Sequence, residues 1–142
     1  MIIDSLKFLV KEKRVQVNSF VIMSNHIHLI WQVQENFERE NVQRDFLKFT
    51  SQTIKRDLKK NHSAVLDKFL VNAKDRKYQI WERNNLSVDL LTEEIFIQKM
   101  NYIHYNPVEA ELCSYPEKYK YSSAKFYETG VDEFGFITHW MD

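Results

Sequence analysis

The sequence predicts an α+β domain with helices packed on an antiparallel sheet. Three observations carry this reading. Apolar residues recur at helical spacing in several long stretches, two β-branched runs lie either side of a two-residue turn, and the elements follow the order α-β-β-α-α-β-α. The 142 residues suit one compact domain spanning 1–142, and only two glycines and two prolines favour long regular elements.

Ile2, Ile3, Leu6, Leu9 and Val10 recur at helical spacing with lysines between them, so residues 1–13 are expected to be an amphipathic helix. Residues 15–23, Val-Gln-Val-Asn-Ser-Phe-Val-Ile-Met, are expected to form a strand, Ser24-Asn25 a turn, and residues 26–33 a second strand closing a hairpin. Residues 40–60 predict a long helix whose buried stripe draws on Val42, Phe46, Phe49, Thr53, Ile54 and Leu58. Asn61-His62-Ser63 breaks it, and a second helix is expected over 63–73. Residues 78–81 and 86–90 are short strand candidates. Thr92 is placed to cap a helix that runs to about residue 105 and ends at Asn106, before Pro107. Phe96, Met100 and Ile103 give that helix its core stripe, and a short last helix is expected from Ser122-Ser123-Ala124.

Charge is unevenly spread although the chain is neutral overall. Residues 41–85 hold eleven basic and five acidic side chains, whereas residues 86–142 hold four basic and ten acidic ones. The middle third can therefore present a basic face to nucleic acid or simply a solvated one. The single cysteine, Cys113, excludes an internal disulfide and fits a reducing, cytoplasmic setting. No apolar run approaches the ~20 residues of a membrane span, and Met-Ile-Ile-Asp-Ser lacks the basic start of a signal peptide. No membrane association is expected.

Residues 24–30, Ser-Asn-His-Ile-His-Leu-Ile, are the most informative stretch. Strand side chains alternate, so His26 and His28 share one face, and Ile27, Leu29, Trp31 and Val33 are expected to take the other, towards the core. Two neutral imidazoles on a rigid strand are a pair of metal ligands in waiting, or two histidines on a polar face. Tyr102 and Asn106 stand four residues apart on the predicted helix. A carboxamide oxygen can complete a His-His-O set, and a phenol beside it can attack an electrophile. Packing for Tyr102 and capping for Asn106 are the plainer roles. His104 lies on the same helix but on a different face from Asn106.

Met23-Ser-Asn-His-Ile-His-Leu-Ile30 resembles the metal-binding strand of the HUH single-tyrosine transposases, and Tyr102-Ile-His-Tyr-Asn-Pro-Val108 resembles their tyrosine helix. Trp81-Glu-Arg-Asn-Asn-Leu-Ser-Val88 and Tyr121-Ser-Ser-Ala124 extend the likeness, which covers essentially the whole chain and is nearest the REP-associated tyrosine transposases. The resemblance implies a ferredoxin-like α/β sandwich whose antiparallel sheet carries the histidine strand. It implies His26, His28 and Asn106 as metal ligands, Mg2+ or Mn2+ as the cation, and Tyr102 as nucleophile, with Tyr105 the second choice. The implied reaction is cleavage and rejoining of single-stranded DNA near hairpins through a 5′-phosphotyrosine link, in DNA transposition. The protein would act as a monomer or homodimer.

Lys48, Lys55, Arg56, Lys59, Lys60 and Arg83 are candidates for phosphate contacts, and Trp81 for stacking on unpaired bases. The family starts with a strand ahead of the first helix, whereas this chain starts inside that helix. The implied consequence is a hairpin with an unpaired edge. A catalytically inactive hairpin-binding relic, and a metal-dependent hydrolase in which Tyr102 only packs, are the competing readings.

Overall fold

The computed structural model describes residues 1–71, 77–81 and 87–142. Its regular elements are α1 (Ile2–Lys11), β1 (Val15–Ile22), β2 (Ile27–Val33), α2 (Arg39–Asn61), α3 (Ser63–Leu66), α4 (Glu93–Glu109) and α5 (Ala124–Thr129), with 3-10 turns at Asp67–Phe69 and Pro116–Lys118. The fold is α+β. Among the described residues the sheet has two strands, β1 antiparallel to β2, and no helix is long and apolar enough to cross a membrane. The chain forms two compact units, one of residues 6–36 and 88–142, the other of residues 1–5 and 37–87.

The first unit holds the hairpin. Val21 pairs with His28 and Ile22 with Ile27, and a bulge between Val17 and Ser19 shifts the register. Tyr127 Oη donates to the Asn18 carbonyl at that bulge, 2.7 Å away. β1 is buried on both faces: Val17, Ser19, Phe20 and Val21 are all inaccessible to solvent. On one face Phe20 meets the rings of Phe134 and Phe136. On the other, Val21, Met23 and Ile30 form the core with Met100 and Ile103 of α4. The free edge of β1 is covered by irregular backbone, because Ile22 N–H donates to the Tyr121 carbonyl and Thr138 N–H to the Val17 carbonyl.

This reverses one expectation. Alternation along β2 pointed Ile27, Leu29, Trp31 and Val33 at the core, yet these are only half-buried and Ile30, on the histidine side, is the deepest residue of the strand. A strand with apolar residues on both faces does not say which one a helix will cover.

Helix α4 starts as expected, with Thr92 Oγ1 accepting from Ile95 N–H. It does not stop at Asn106. It continues through a fully buried Pro107 to Glu109. Proline removes one helical hydrogen bond, but Glu111 adopts positive φ and the carbonyls of Pro107 and Val108 are taken by Leu112 N–H and Glu111 N–H. These are the two bonds of a Schellman closure, which satisfies the helix end three residues late. Asn106 is therefore mid-helix and caps nothing.

In the second unit, α2 buries Val42, Phe46 and Thr50. Phe49 is 57% exposed, contrary to its expected place in the stripe, because spacing of four selects 42, 46 and 50. The helix expected over 63–73 is shorter: α3 ends at Leu66 and gives way to the 3-10 turn; residues 72 and 73 lie outside the described residues. Residues 78–81 contribute only a single bridge, Leu70 to Tyr78, and residues 87–90 are irregular, with 86 outside the described residues.

Candidate metal centre

His26 stands at the turn and His28 one strand step further. Their ring centroids are 5.1 Å apart, with the planes at 80°. His26 Nδ1–H donates to Asn25 Oδ1 at 2.7 Å. A carboxamide oxygen only accepts, so this bond puts the proton on Nδ1 and leaves the Nε2 lone pair for a ligand. Burial, and then the neighbouring His26, hold the His28 imidazole below its ordinary proton affinity. Asn25 was read in the sequence only as a turn residue. The signal for its second role is its position directly ahead of the first histidine.

Tyr102 comes from α4. Its ring lies 5.8 Å from that of His28, at 78°, and the residue is 55% exposed, so the phenol is open to solvent. Asn106 follows one turn later and is half-buried, and among the described residues its side chain makes no hydrogen bond. Tyr105 is equally exposed, but no contact among the described residues joins it to the histidines. The structure thus brings the His28 ring against those of both His26 and Tyr102; Asn106 lies one turn along α4 from Tyr102, and no contact among the described residues joins it to the histidines.

Two imidazoles are a donor pair that a divalent cation of intermediate softness could use. Among the described residues no three His, Cys, Asp or Glu side chains cluster; any cation on the imidazole pair would need further oxygen ligands. Two nitrogens with several oxygens suit Mn2+ better than Mg2+, which prefers oxygen alone.

His104 is not a ligand. It is 7% exposed and faces the sheet, where Nε2 lies 2.9 Å from Ser19 Oγ and 2.7 Å from Ser123 Oγ. Ser123 Oγ also accepts from Phe20 N–H at 2.9 Å. Burial pushes the imidazole down to about 4, so it is neutral at pH 7. Sequence reasoning missed this network, since serines and a histidine 85 and 104 residues from their partners carry no local pattern.

The nucleic-acid candidates fall in the second unit. Lys48, Lys55, Arg56, Lys59 and Lys60 are all exposed along α2, and Lys48, Lys55 and Lys59 share the face opposite Val42 and Phe46 at helical spacing. Trp81 is not the exposed platform expected: it is half-buried and its Nε1–H donates to Thr50 Oγ1 at 2.9 Å. Arg83 lies outside the described residues. No protein-family model, curated protein or solved structure matches this chain.

Proposed function

We propose that this protein is an HUH-type single-tyrosine transferase that cleaves and rejoins single-stranded DNA. The observation that carries the reading is the Tyr102 ring standing 5.8 Å from His28, itself paired with His26. The likeness of both segments to the histidine strand and tyrosine helix of the REP-associated tyrosine transposases points the same way, and a ferredoxin-like sandwich is the fold that goes with it.

Tyr102 Oη attacks the phosphorus of a phosphodiester. The phenol loses its proton as a Tyr–O–P bond forms, the bond from phosphorus to the 3′ oxygen breaks, and that oxygen takes up a proton and leaves as a free 3′-hydroxyl. One phosphodiester replaces another, so the reverse attack rejoins DNA without ATP. A phenol of ordinary pKa ~10 is a weak nucleophile at neutral pH. His26, His28 and Asn106 would hold a divalent cation, Mn2+ or Mg2+, whose contribution when bound is to offset the phosphate's charge and favour the phenolate. Asn25 orients the His26 ring. The lysines of α2 supply sequence-independent attraction for the phosphate backbone.

The test is a hairpin-bearing single-stranded oligonucleotide incubated with protein and Mn2+. A covalent adduct surviving a denaturing gel, absent in Tyr102→Phe, is expected. Binding without an adduct would favour an inactive hairpin-binding relic. Cleavage that persists in Tyr102→Phe would favour a hydrolase.

A further inference from the structure

Three of the four basic residues in the acidic C-terminal third, Lys118, Lys120 and Lys125, fall within eight positions and interleave with Tyr119 and Tyr121. Lys125 is engaged by Glu133. Lys118 and Lys120 are exposed. Tyr121 is 45% exposed, with the Lys120 ammonium 5.4 Å from its ring centre. Tyr119 braces it: the two rings meet edge to face at 6.4 Å, and Tyr119 Oη is fastened to the Ile22 carbonyl at 2.6 Å.

The segment also has a defined address. Ile22 N–H donates to the Tyr121 carbonyl, Ser122 bridges Val21, and Val21 is paired with His28. Ser122, the residue after Tyr121, therefore lies alongside β1, two strand spacings from His28. That is roughly 10 Å, the stacked rise of about three nucleotides. The adjoining cleft, ≈ 200 Å³ and lined in part by Lys118, Tyr119 and Lys120, is smaller than the usual small-molecule site. A braced, exposed aromatic ring flanked by exposed ammonium groups is the chemistry that binds unpaired bases and their phosphates without reading sequence.

We propose that Tyr121, with Lys118 and Lys120, is a single-stranded DNA platform that holds the strand beside the histidine pair. This rests on the transferase reading and adds to it a contact surface within the same unit. Its test is fluorescence anisotropy with a labelled single-stranded oligonucleotide of mixed sequence, in the Tyr102→Phe background without added cation. Binding alone is then measured.

Tyr121→Ala is expected to weaken binding about tenfold, and Tyr121→Phe to stay within about twofold, because the ring and not the hydroxyl does the stacking. Lys118→Gln with Lys120→Gln should lower the slope of log Kd against log salt by about 1.4. An unchanged affinity in Tyr121→Ala, an equal loss in Tyr121→Phe, or an unchanged salt slope in the exposed lysine pair would each overturn the proposal. Tighter capture of an acidic polypeptide than of DNA would overturn it as well. If the parent protein forms the covalent adduct while Tyr121→Ala binds normally, the platform fails and the transferase stands. If the platform variants behave as expected and no adduct forms, the reverse holds.

Discussion

His104 on α4 and Ser123 just before α5 are joined at 2.7 Å between Nε2 and Oγ. Ser19 of β1 closes the triangle. Helix α4, the hairpin and the residue just ahead of α5 thus meet at one buried imidazole, two residues from Tyr102. His104→Ala should cost about 2–3 kcal/mol, since it leaves two buried hydroxyls short of a partner. The midpoint of urea unfolding measures this, and a loss below about 0.5 kcal/mol would contradict the network.

The same residue predicts a pH dependence. Its folded pKa, about 4, is below the ordinary 6.5. Above pH 6.5 both folded and unfolded forms are neutral and the group adds no pH dependence. Between 6.5 and about 4 the unfolded chain takes up a proton that the folded one refuses, so stability falls as pH falls. The full loss is about 3 kcal/mol. Urea midpoints across this window should diverge between the parent and His104→Gln, with the parent showing the steeper loss on acidification.

Tyr102→Phe should abolish the DNA adduct and leave stability within about 0.5 kcal/mol, because an exposed phenol contributes little to packing. Gel assay and thermal unfolding on the same preparation check both halves. A large fall in stability would mean that Tyr102 is a packing residue.

Cation affinity should depend on Asn25, His26 and His28. His26→Ala and His28→Ala are expected to abolish tight Mn2+ binding. Asn25→Ala should weaken it about tenfold, through the freed His26 ring and not through a lost ligand. Manganese paramagnetic resonance titration reads this directly. Chelation should stop adduct formation, and added Mn2+ should restore it.

Glu111 holds φ 61 at the end of α4, where glycine is the favoured residue. Glu111→Gly should stabilise the protein by about 0.5–1 kcal/mol. A destabilised variant, read from the denaturation midpoint, would mean that the glutamate side chain contributes something the backbone argument omits.

Much of the local architecture was legible in the chain. Thr92 with Glu93 and Glu94 marks the start of α4, and the β-branched runs around Ser24-Asn25 mark the hairpin. The proline at 107 misled, because its effect on a helix depends on whether neighbouring backbone can close the end beyond it, which Glu111 and Leu112 do. Trp81 misled for a related reason: an indole is a stacking surface or a packing group according to what its N–H meets, and here it meets Thr50.

The sequence by itself determined the one-turn spacing of Tyr102 and Asn106, because it follows from the fixed period of a helix; His26, expected to open the second strand, stands just outside β2, so the strand period does not set its direction. Tertiary structure decided which face of the hairpin α4 covers, and hence that Tyr102 lies beside His28. It also decided that His104 faces the sheet, away from any cation, because packing and buried hydrogen bonds join residues whose separation along the chain leaves no local trace.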